Sequence, residues 1–84
     1  MHSDEGEVEI TAGGEGDSLI LCHLTELLAA RDMTVTRLSE LVGVSVVNLS
    51  ILKNDRAKAI RFSTLAAICK ALDCTVGELL TLAE

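Results

Sequence analysis

The chain has 84 residues, of which 49% are hydrophobic and only Phe62 is aromatic, and its formal net charge is −6. This length allows one small domain with a core of aliphatic side chains. No run of about 20 apolar residues occurs and the N-terminus is acidic, so we expect a cytoplasmic protein without a membrane span or signal peptide.

The negative charge is concentrated at the N-terminus. Residues 1–18 hold six acidic residues and no Lys or Arg, whereas residues 19–84 hold seven residues of each sign. Within residues 37–61, five basic residues accompany two acidic ones, which is a local excess of +3. Because phosphate binding responds to local potential, this distribution is compatible with a nucleic-acid partner despite the negative total.

Residues 1–18 are predicted to be an acidic, Gly-rich tail that precedes a domain at residues 19–84. The alternation of apolar and polar residues at 8–11 would also suit a strand, paired as a hairpin with residues 19–22. We favour the solvated tail over this hairpin. A functional alternative is that the acidic tail competes with DNA for the basic residues.

Five helices are predicted from the spacing of apolar residues, at residues 19–31, 35–42, 46–53, 64–72 and 76–82, with a loop at 54–61. Helix 1 carries an apolar stripe that includes Ile20 and Leu24 and is expected to face the core. The side chains of Ser18, Ser63 and Thr75 are suited to cap helices 1, 4 and 5.

Helices 2 and 3 form a helix-turn-helix pattern. Thr34 and Ser45 can cap the two helices, because each hydroxyl can accept a backbone N–H of the first turn. Gly43 suits the end of helix 2, where the chain needs a positive φ, and Val44 can pack into the corner. These features predict a sharp turn with a well-defined start to helix 3.

The spaced residues L-x-x-L-V-G-V-S-x-x-x-L-S-x-L-K-N, followed by F-S-T-L-A-A-I-C-K-A-L-D-C-T-V-G-E-L-L, resemble the Cro/C1-type (XRE-like) helix-turn-helix family. The chain is most similar to small single-domain members with the signature I-C-x-A-L-x-C. The resemblance implies an all-α, five-helix, lambda-repressor-like domain that binds double-stranded DNA. It further implies a transcriptional regulator, in particular a repressor, that forms a homodimer, and we expect the contact at helix 5 and residues 81–84.

Helix 3 is expected to expose the side opposite Leu49 and Leu52. By resemblance, its base-reading positions are Val46, Val47 and Ile51, which are commonly polar in the phage repressors. Apolar side chains can contact thymine methyl groups in the major groove. An exposed apolar patch could alternatively mark a protein interface, as in an antitoxin-like or regulator-binding module. The surrounding basic residues favour DNA.

The full predicted DNA-binding set joins the start of helix 2, helix 3 and the loop behind it. It comprises Thr34, Thr36, Arg37, Ser45, Val46, Val47, Asn48, Ser50, Ile51, Asn54, Arg56, Lys58 and Arg61. The N–H groups at the start of helix 2 favour a phosphate. By resemblance, Arg61 stands where phage repressors carry an arginine that approaches the minor groove. Asp55 stands where relatives often have Gly, and it would place an acid near a phosphate.

No catalytic or metal site is predicted. The sequence has neither G-x-x-x-x-G-K-[ST] nor H-E-x-x-H. Cys22, Cys69 and Cys74 are odd in number and lack the spacing of a zinc site, which favours small buried hydrophobic residues. We therefore expect no enzyme activity, no cofactor and no metal.

Overall fold

Helices dominate the part of the chain that the computed structural model describes, residues 10–12 and 19–83. The helices are α1 (Leu24–Ala30), α2 (Val35–Val42), α3 (Val46–Lys53), α4 (Phe62–Leu72) and α5 (Val76–Leu79). Four short strands accompany them: β1 (Ile10–Ala12), β2 (Ile20–Cys22), β3 (Ala57–Ile60) and β4 (Leu80–Leu82). The five expected helices are present, but the expected all-α class is wrong in detail, because the strands form two small antiparallel sheets.

Both sheets pair segments that are far apart in the chain. β1 pairs with β3, with Ile10 opposite Ile60, and the register shifts before the last pair. β2 pairs with β4, with Ile20 opposite Leu82. The described part of the chain therefore does not contain the hairpin considered for residues 8–11 and 19–22.

Part of the predicted N-terminal tail belongs to the folded domain. Ile10 is only 1% exposed and is one of the core residues, and β1 packs against α3. The sequence analysis had assigned Ile10–Ala12 to the solvated tail, and for these three residues that assignment is wrong. The other residues of the tail, 1–9 and 13–18, lie outside the described residues.

The other differences from the predicted elements arise where strands replace helical turns. α1 begins at Leu24 rather than at residue 19, because the preceding residues form β2, and Ile20 is 43% exposed rather than in the core. α5 ends at Leu79 for the same reason. The predicted loop at 54–61 contains β3. A short apolar segment is compatible with both the helical period of 3.6 and the strand period of 2. Only the presence of a distant partner strand decides which structure it forms.

The expected helix caps have mixed outcomes. Thr75 caps α5 and forms a complete capping box with Glu78. Ser63 does not cap α4, because that helix begins at Phe62 and Arg61 occupies the N-cap position without a side-chain hydrogen bond. Ser18 lies outside the described residues.

The core is aliphatic, as the composition predicts. The buried hydrophobic residues are Ile10, Leu24, Leu28, Leu38, Val44, Leu49, Leu52, Ile68, Cys69, Leu72 and Leu79. Four of the five helices supply two or fewer of them each, so no single element forms the core. Each element is therefore positioned by the others.

Arg31 connects the end of α1 with the end of α4. Its Nε donates to the carbonyl oxygen of Leu72 at 2.5 Å, and its Nη2 donates to that of Asp73 at 2.9 Å. A cation at a helix C-terminus satisfies carbonyl groups that have no partner within the helix and complements the helix dipole. The sequence analysis assigned Arg31 no role.

The chain bends by 118° between α2 and α3. This angle lies within the range of a helix-turn-helix. In residues 10–12 and 19–83 no single helix is long and apolar enough to cross a membrane, and only this bent pair, taken together, matches a span in length and composition.

Candidate nucleic-acid interface

The turn before α3 sets the direction in which the start of that helix points. Gly43 ends α2 with φ 74°, Val44 is 4% exposed, and the hydroxyl of Ser45 accepts the backbone N–H of Asn48 at 3.1 Å. α2 and α3 have the predicted bounds, and both predicted caps are present. The geometry at the start of α3 is therefore fixed by a buried corner residue and a satisfied cap.

The first turn of α3 presents two apolar side chains to solvent. Val47 is 71% exposed and Val46 is 38% exposed. Asn48 and Ser50, which neighbour the valines in α3, are half-buried. The outer face of the helix start therefore has a mixed surface, with an apolar tip and polar flanks.

Ile51 does not belong to this exposed tip. It is half-buried and packs against the core, whereas the helical wheel places it on the outer face. β1 packs against α3, a contact that a helical wheel does not take into account. The expected exposed trio is therefore reduced to Val46 and Val47.

The start of α2 lies on one flank of this tip. The hydroxyl of Thr34 accepts the backbone N–H of Arg37 at 3.0 Å, and Thr36 is exposed beside it. Arg37 also forms an ion pair with Glu40 at 3.2 Å, in which both side chains are about 60% exposed. An exposed pair of this kind contributes little stability, so Arg37 can exchange its carboxylate partner for a phosphate at little cost.

The other flank is the segment from the end of α3 to the start of α4. Asn54, Arg56, Lys58 and Arg61 are all exposed. Lys58 lies in β3, whose central residues face solvent, so it is held on a strand rather than in the predicted loop. The structure thus arranges the predicted basic residues along one continuous segment that directly follows α3.

Asp55 has a structural role that the sequence did not reveal. Its φ is 60°, and its Oδ1 accepts the backbone N–H of Cys22 at 2.7 Å. Asp tolerates this left-handed conformation better than most residues, although glycine adopts it most easily. The carboxylate therefore fastens β2 to the turn after α3, an interaction that glycine could not supply.

Phe62 was not predicted as a surface residue of this segment. It is 86% exposed at the first position of α4, directly after Arg61. Two features of the sequence could have indicated this exposure. Phe62 is the sole aromatic residue, and it follows the arginine that the family resemblance places near the minor groove.

The apolar surface of the β2–β4 sheet was also missed. Its exposed large residues are Leu19, Ile20, Leu21 and Leu82, with Leu19 72% and Leu82 65% exposed. A groove of about 140 Å³ lies beside it, between β2 and β3. Because successive strand residues face opposite sides, Ile20 and its partner Leu82 are exposed on one face of the sheet, and Leu19 and Leu21 on the other.

Two thiols outside the predicted contact set have shifted pKa values. Burial raises the pKa of Cys22 to about 11, with the carboxylate of Asp55 contributing in the same direction. Burial also raises the pKa of Cys74 to about 11, and the neighbouring Cys69 adds to the effect. Both thiols therefore remain protonated at neutral pH and are weak nucleophiles and metal ligands there.

Comparison with known proteins identifies the family. Residues 23–84 match the Cro/C1-type HTH DNA-binding domain. The chain is 59% identical over 61 residues to the HTH-type transcriptional regulator YozG of Bacillus subtilis (strain 168), with 73% of each chain covered.

A solved structure is similar as well. The crystal structure of the transcriptional regulator VanUg superposes with a TM-score of 0.64 at 33% sequence identity, covering 77% of this chain and 87% of that one. The matched domain, the YozG relative and the shared fold lead to one conclusion. The chain belongs to the Cro/C1-type helix-turn-helix family of DNA-binding transcriptional regulators.

Proposed function

We propose that this protein represses transcription by inserting the start of α3 into the major groove of double-stranded DNA. The observation that supports this most directly is the exposed tip of α3, with Val47 71% exposed, which Arg37 precedes in the chain and the exposed Arg56, Lys58 and Arg61 follow. In helix-turn-helix docking, the first residues of the recognition helix meet base edges and the flanks contact phosphates. Repression itself is proposed from the resemblance to phage repressors.

The chemistry of the tip defines the kind of site that it would read. Val46 and Val47 offer methyl groups to the 5-methyl of thymine, and Asn48 and Ser50 offer hydrogen bonds to a neighbouring base or phosphate. Ile51, being half-buried, would support the helix and contribute less direct contact than the sequence predicted. We infer a preference for half-sites that contain A·T pairs.

A two-fold dimer is part of the proposal. Helix-turn-helix proteins usually read two half-sites about one helical turn apart, which requires two copies related by a two-fold axis. Ile20 and Leu82 lie opposite each other in the β2–β4 register, and both are exposed apolar side chains. This sheet includes residues 80–82, so the surface overlaps the C-terminal contact that the sequence predicts. Leu82→Glu should convert a dimer to a monomer in sedimentation experiments.

A salt titration of binding to labelled duplexes, followed by fluorescence anisotropy, tests the DNA-binding function. Lys58→Ala should weaken binding to every sequence and lower the salt slope by about one. Val47→Ser should instead reduce the preference for A·T-containing duplexes at an unchanged salt slope. Lys70→Ala is the matched control, because Lys70 is an exposed lysine outside the predicted set. Equal effects of Lys58→Ala and Lys70→Ala would contradict the proposed docking.

The alternative function is that of a protein-interaction module. The specific observation in its favour is that Val47 and Phe62 are both highly exposed and apolar. If full-length protein fails to bind any duplex even at low salt, the start of α3 becomes a protein-binding surface. Val47→Glu should then abolish capture of a protein partner, while Lys58→Ala should leave it unchanged.

A further inference from the structure

The two sheets differ in how their edges are protected against pairing with another chain. In the β1–β3 sheet, β3 carries the exposed Lys58, and the register shifts between Thr11 and Ala12. Charged side chains and register irregularities on edge strands prevent such pairing. β4, by contrast, has the neutral sequence Leu-Thr-Leu and a regular register with β2. The edge of β4 therefore lacks the protection that the other sheet has.

The outer edge of β2, on the side away from β4, is occupied by a side chain. The N–H of His23 donates to the carbonyl oxygen of Leu79 across the β2–β4 ladder at 2.8 Å. Because hydrogen-bonded pairs alternate along an antiparallel ladder, the backbone groups of the preceding residue, Cys22, point away from β4. Asp55 Oδ1 accepts the N–H of Cys22 at 2.7 Å. A carboxylate thus takes the place that a further strand would have beside β2.

The same alternation directs the backbone groups of Leu82 outward from β4. In the next residue, Ala83, the N–H donates inward to the carbonyl oxygen of Leu19 at 2.7 Å. The N–H and C=O of Leu82 therefore both point away from β2. Among residues 10–12 and 19–83, neither group has a hydrogen-bond partner, and the side chain of Leu82 is 65% exposed. One residue thus offers a donor, an acceptor and an apolar side chain at one edge.

We propose that a second copy of the chain adds its β4 to this edge, antiparallel across a two-fold axis that passes between the two copies of Leu82. The N–H of each Leu82 would donate to the C=O of the partner's Leu82, which gives two reciprocal hydrogen bonds with the Cα atoms about 5.5 Å apart. Directly opposite side chains lie on the same face of a sheet, so the two leucines would also pack against each other.

The occupant is a second copy because the edge is complementary to itself. A two-fold contact brings the same residue together from both chains, and Leu82 supplies both the donor and the acceptor that such a contact needs. The inference rests on the two-copy docking on DNA proposed above, and it specifies how the two copies join.

β4 is already held in the shape that this pairing requires. Oγ1 of Thr81 lies 2.7 Å from Nε2 of His23, and the N–H of Leu80 donates to the carbonyl oxygen of Val76. Because these contacts order the strand in advance, association costs less conformational freedom. A three-residue strand still provides few hydrogen bonds, so we expect weak association of the free protein. Binding to adjacent half-sites raises the effective concentration of the second copy to about millimolar, which strengthens the pair on DNA.

The first test compares two lysine variants by sedimentation equilibrium without DNA, at protein concentrations up to about 1 mM. Leu82→Lys places a charge on the open edge of β4, whereas Leu19→Lys places the same charge on a similarly exposed leucine beside β2. Leu82→Lys should raise the dimer dissociation constant about tenfold or more, and Leu19→Lys should leave it near that of wild type. Equal effects of the two variants, or a wild-type protein that stays monomeric, would overturn the proposal.

The second test measures the hydrogen exchange of two neighbouring amides by NMR. The N–H of Thr81 faces Leu21 within one chain, so its protection should not depend on protein concentration. The N–H of Leu82 should exchange roughly twofold more slowly when half of the protein is dimeric, because only the monomer leaves it accessible. A dimer in which this amide exchanges at the monomer rate would be joined through another surface and would overturn the strand pairing.

Anisotropy of a labelled A·T-rich duplex separates this proposal from the DNA-binding function. Leu82→Lys should still bind the duplex, but as a monomer and with lower affinity than Leu19→Lys, which carries the same charge. A strand-paired dimer that binds no duplex even at low salt would retain the contact and contradict the proposed docking. DNA binding by a wild-type protein that is monomeric at every concentration tested would overturn the strand pairing alone.

Discussion

The α2–α3 unit and the two sheets are stabilised over very different distances along the chain. Each helix of the unit is capped by a hydroxyl three residues from the N–H that it accepts, at 3.0 Å for Thr34 and 3.1 Å for Ser45. The sheets instead join Ile10 to Ile60 and Ile20 to Leu82. The helix-turn-helix is therefore encoded locally, and the sheets depend on the rest of the fold.

The sheets nevertheless hold α3 in place. β1 packs against α3 on one side, and the carboxylate of Asp55, just after α3, accepts the N–H of Cys22 in β2. The local unit determines which residues the start of α3 exposes, and the long-range pairs determine how α3 is oriented on the domain. Mutations in the α2–α3 unit and mutations in the sheets should accordingly differ in the size and the kind of their effects.

The largest expected effect is at Ile10, where a long-range pair meets the core. Ile10→Ala should destabilise the domain by about 2–5 kcal/mol, because it leaves a cavity at a residue that is 1% exposed. Ile10→Val is the graded control and should cost about 0.5–1.5 kcal/mol. Urea unfolding followed by far-UV circular dichroism measures both. An Ile10→Ala protein as stable as wild type would show that β1 contributes nothing to the fold.

Asp55 is expected to have the next largest effect. Asp55→Ala should cost about 2 kcal/mol, because alanine fits a φ of 60° poorly and cannot accept the Cys22 N–H. Asp55→Asn keeps an acceptor and tolerates the same φ, so its stability should stay near that of wild type. The asparagine variant should also bind DNA somewhat more tightly at low salt, since one acid near the proposed phosphate contacts is gone. Equal losses of stability in both variants would contradict this role for the side chain.

The same division explains what the sequence could predict. The bounds of α2 and α3 and their caps were predicted correctly, because caps, helical period and Gly43 act within a few residues. The family was also predicted correctly, since its motif consists of residues at fixed spacing from α2 to α5, which can be identified without knowing how the strands pair. The alternation at residues 8–11 indicated a strand, but the partner of β1 lies fifty residues away and was not predicted. Ile51 was misplaced for the same reason, because a wheel contains no information about a strand that covers the helix.

Gly43 tests the local side of the comparison. Gly43→Ala should cost roughly 1 kcal/mol through its φ of 74° alone, because nothing lies within 4 Å of the added Cβ. Gly77→Ala is the matched control, since Gly77 lies inside α5, has no positive φ and has only Thr75 Oγ1 at 4.0 Å. That control should be stabilised by up to about 1 kcal/mol through helix propensity. If the stability changes of the two variants have opposite signs, the cost at Gly43 is due to the conformation of the turn. If they have the same sign, that explanation is contradicted.

The last expected effect is an alkaline weakening that involves β2. Burial raises the pKa of Cys22 from its ordinary value of 9.0 to about 11 in the folded protein. Between these values the folded state retains a proton that the unfolded state has lost. The stability that Cys22 contributes is therefore fully present below pH 9 and is lost as the pH rises toward 11.

Urea unfolding at pH 8 and pH 10.5 should show a smaller decrease in stability for Cys22→Ala than for wild type, because the variant lacks this thiol. Hydrogen exchange should locate the wild-type weakening in β2 rather than in α2, since β2 carries the titrating thiol. Equal alkaline losses in both proteins would exclude Cys22 as the source and would attribute the pH dependence to other groups.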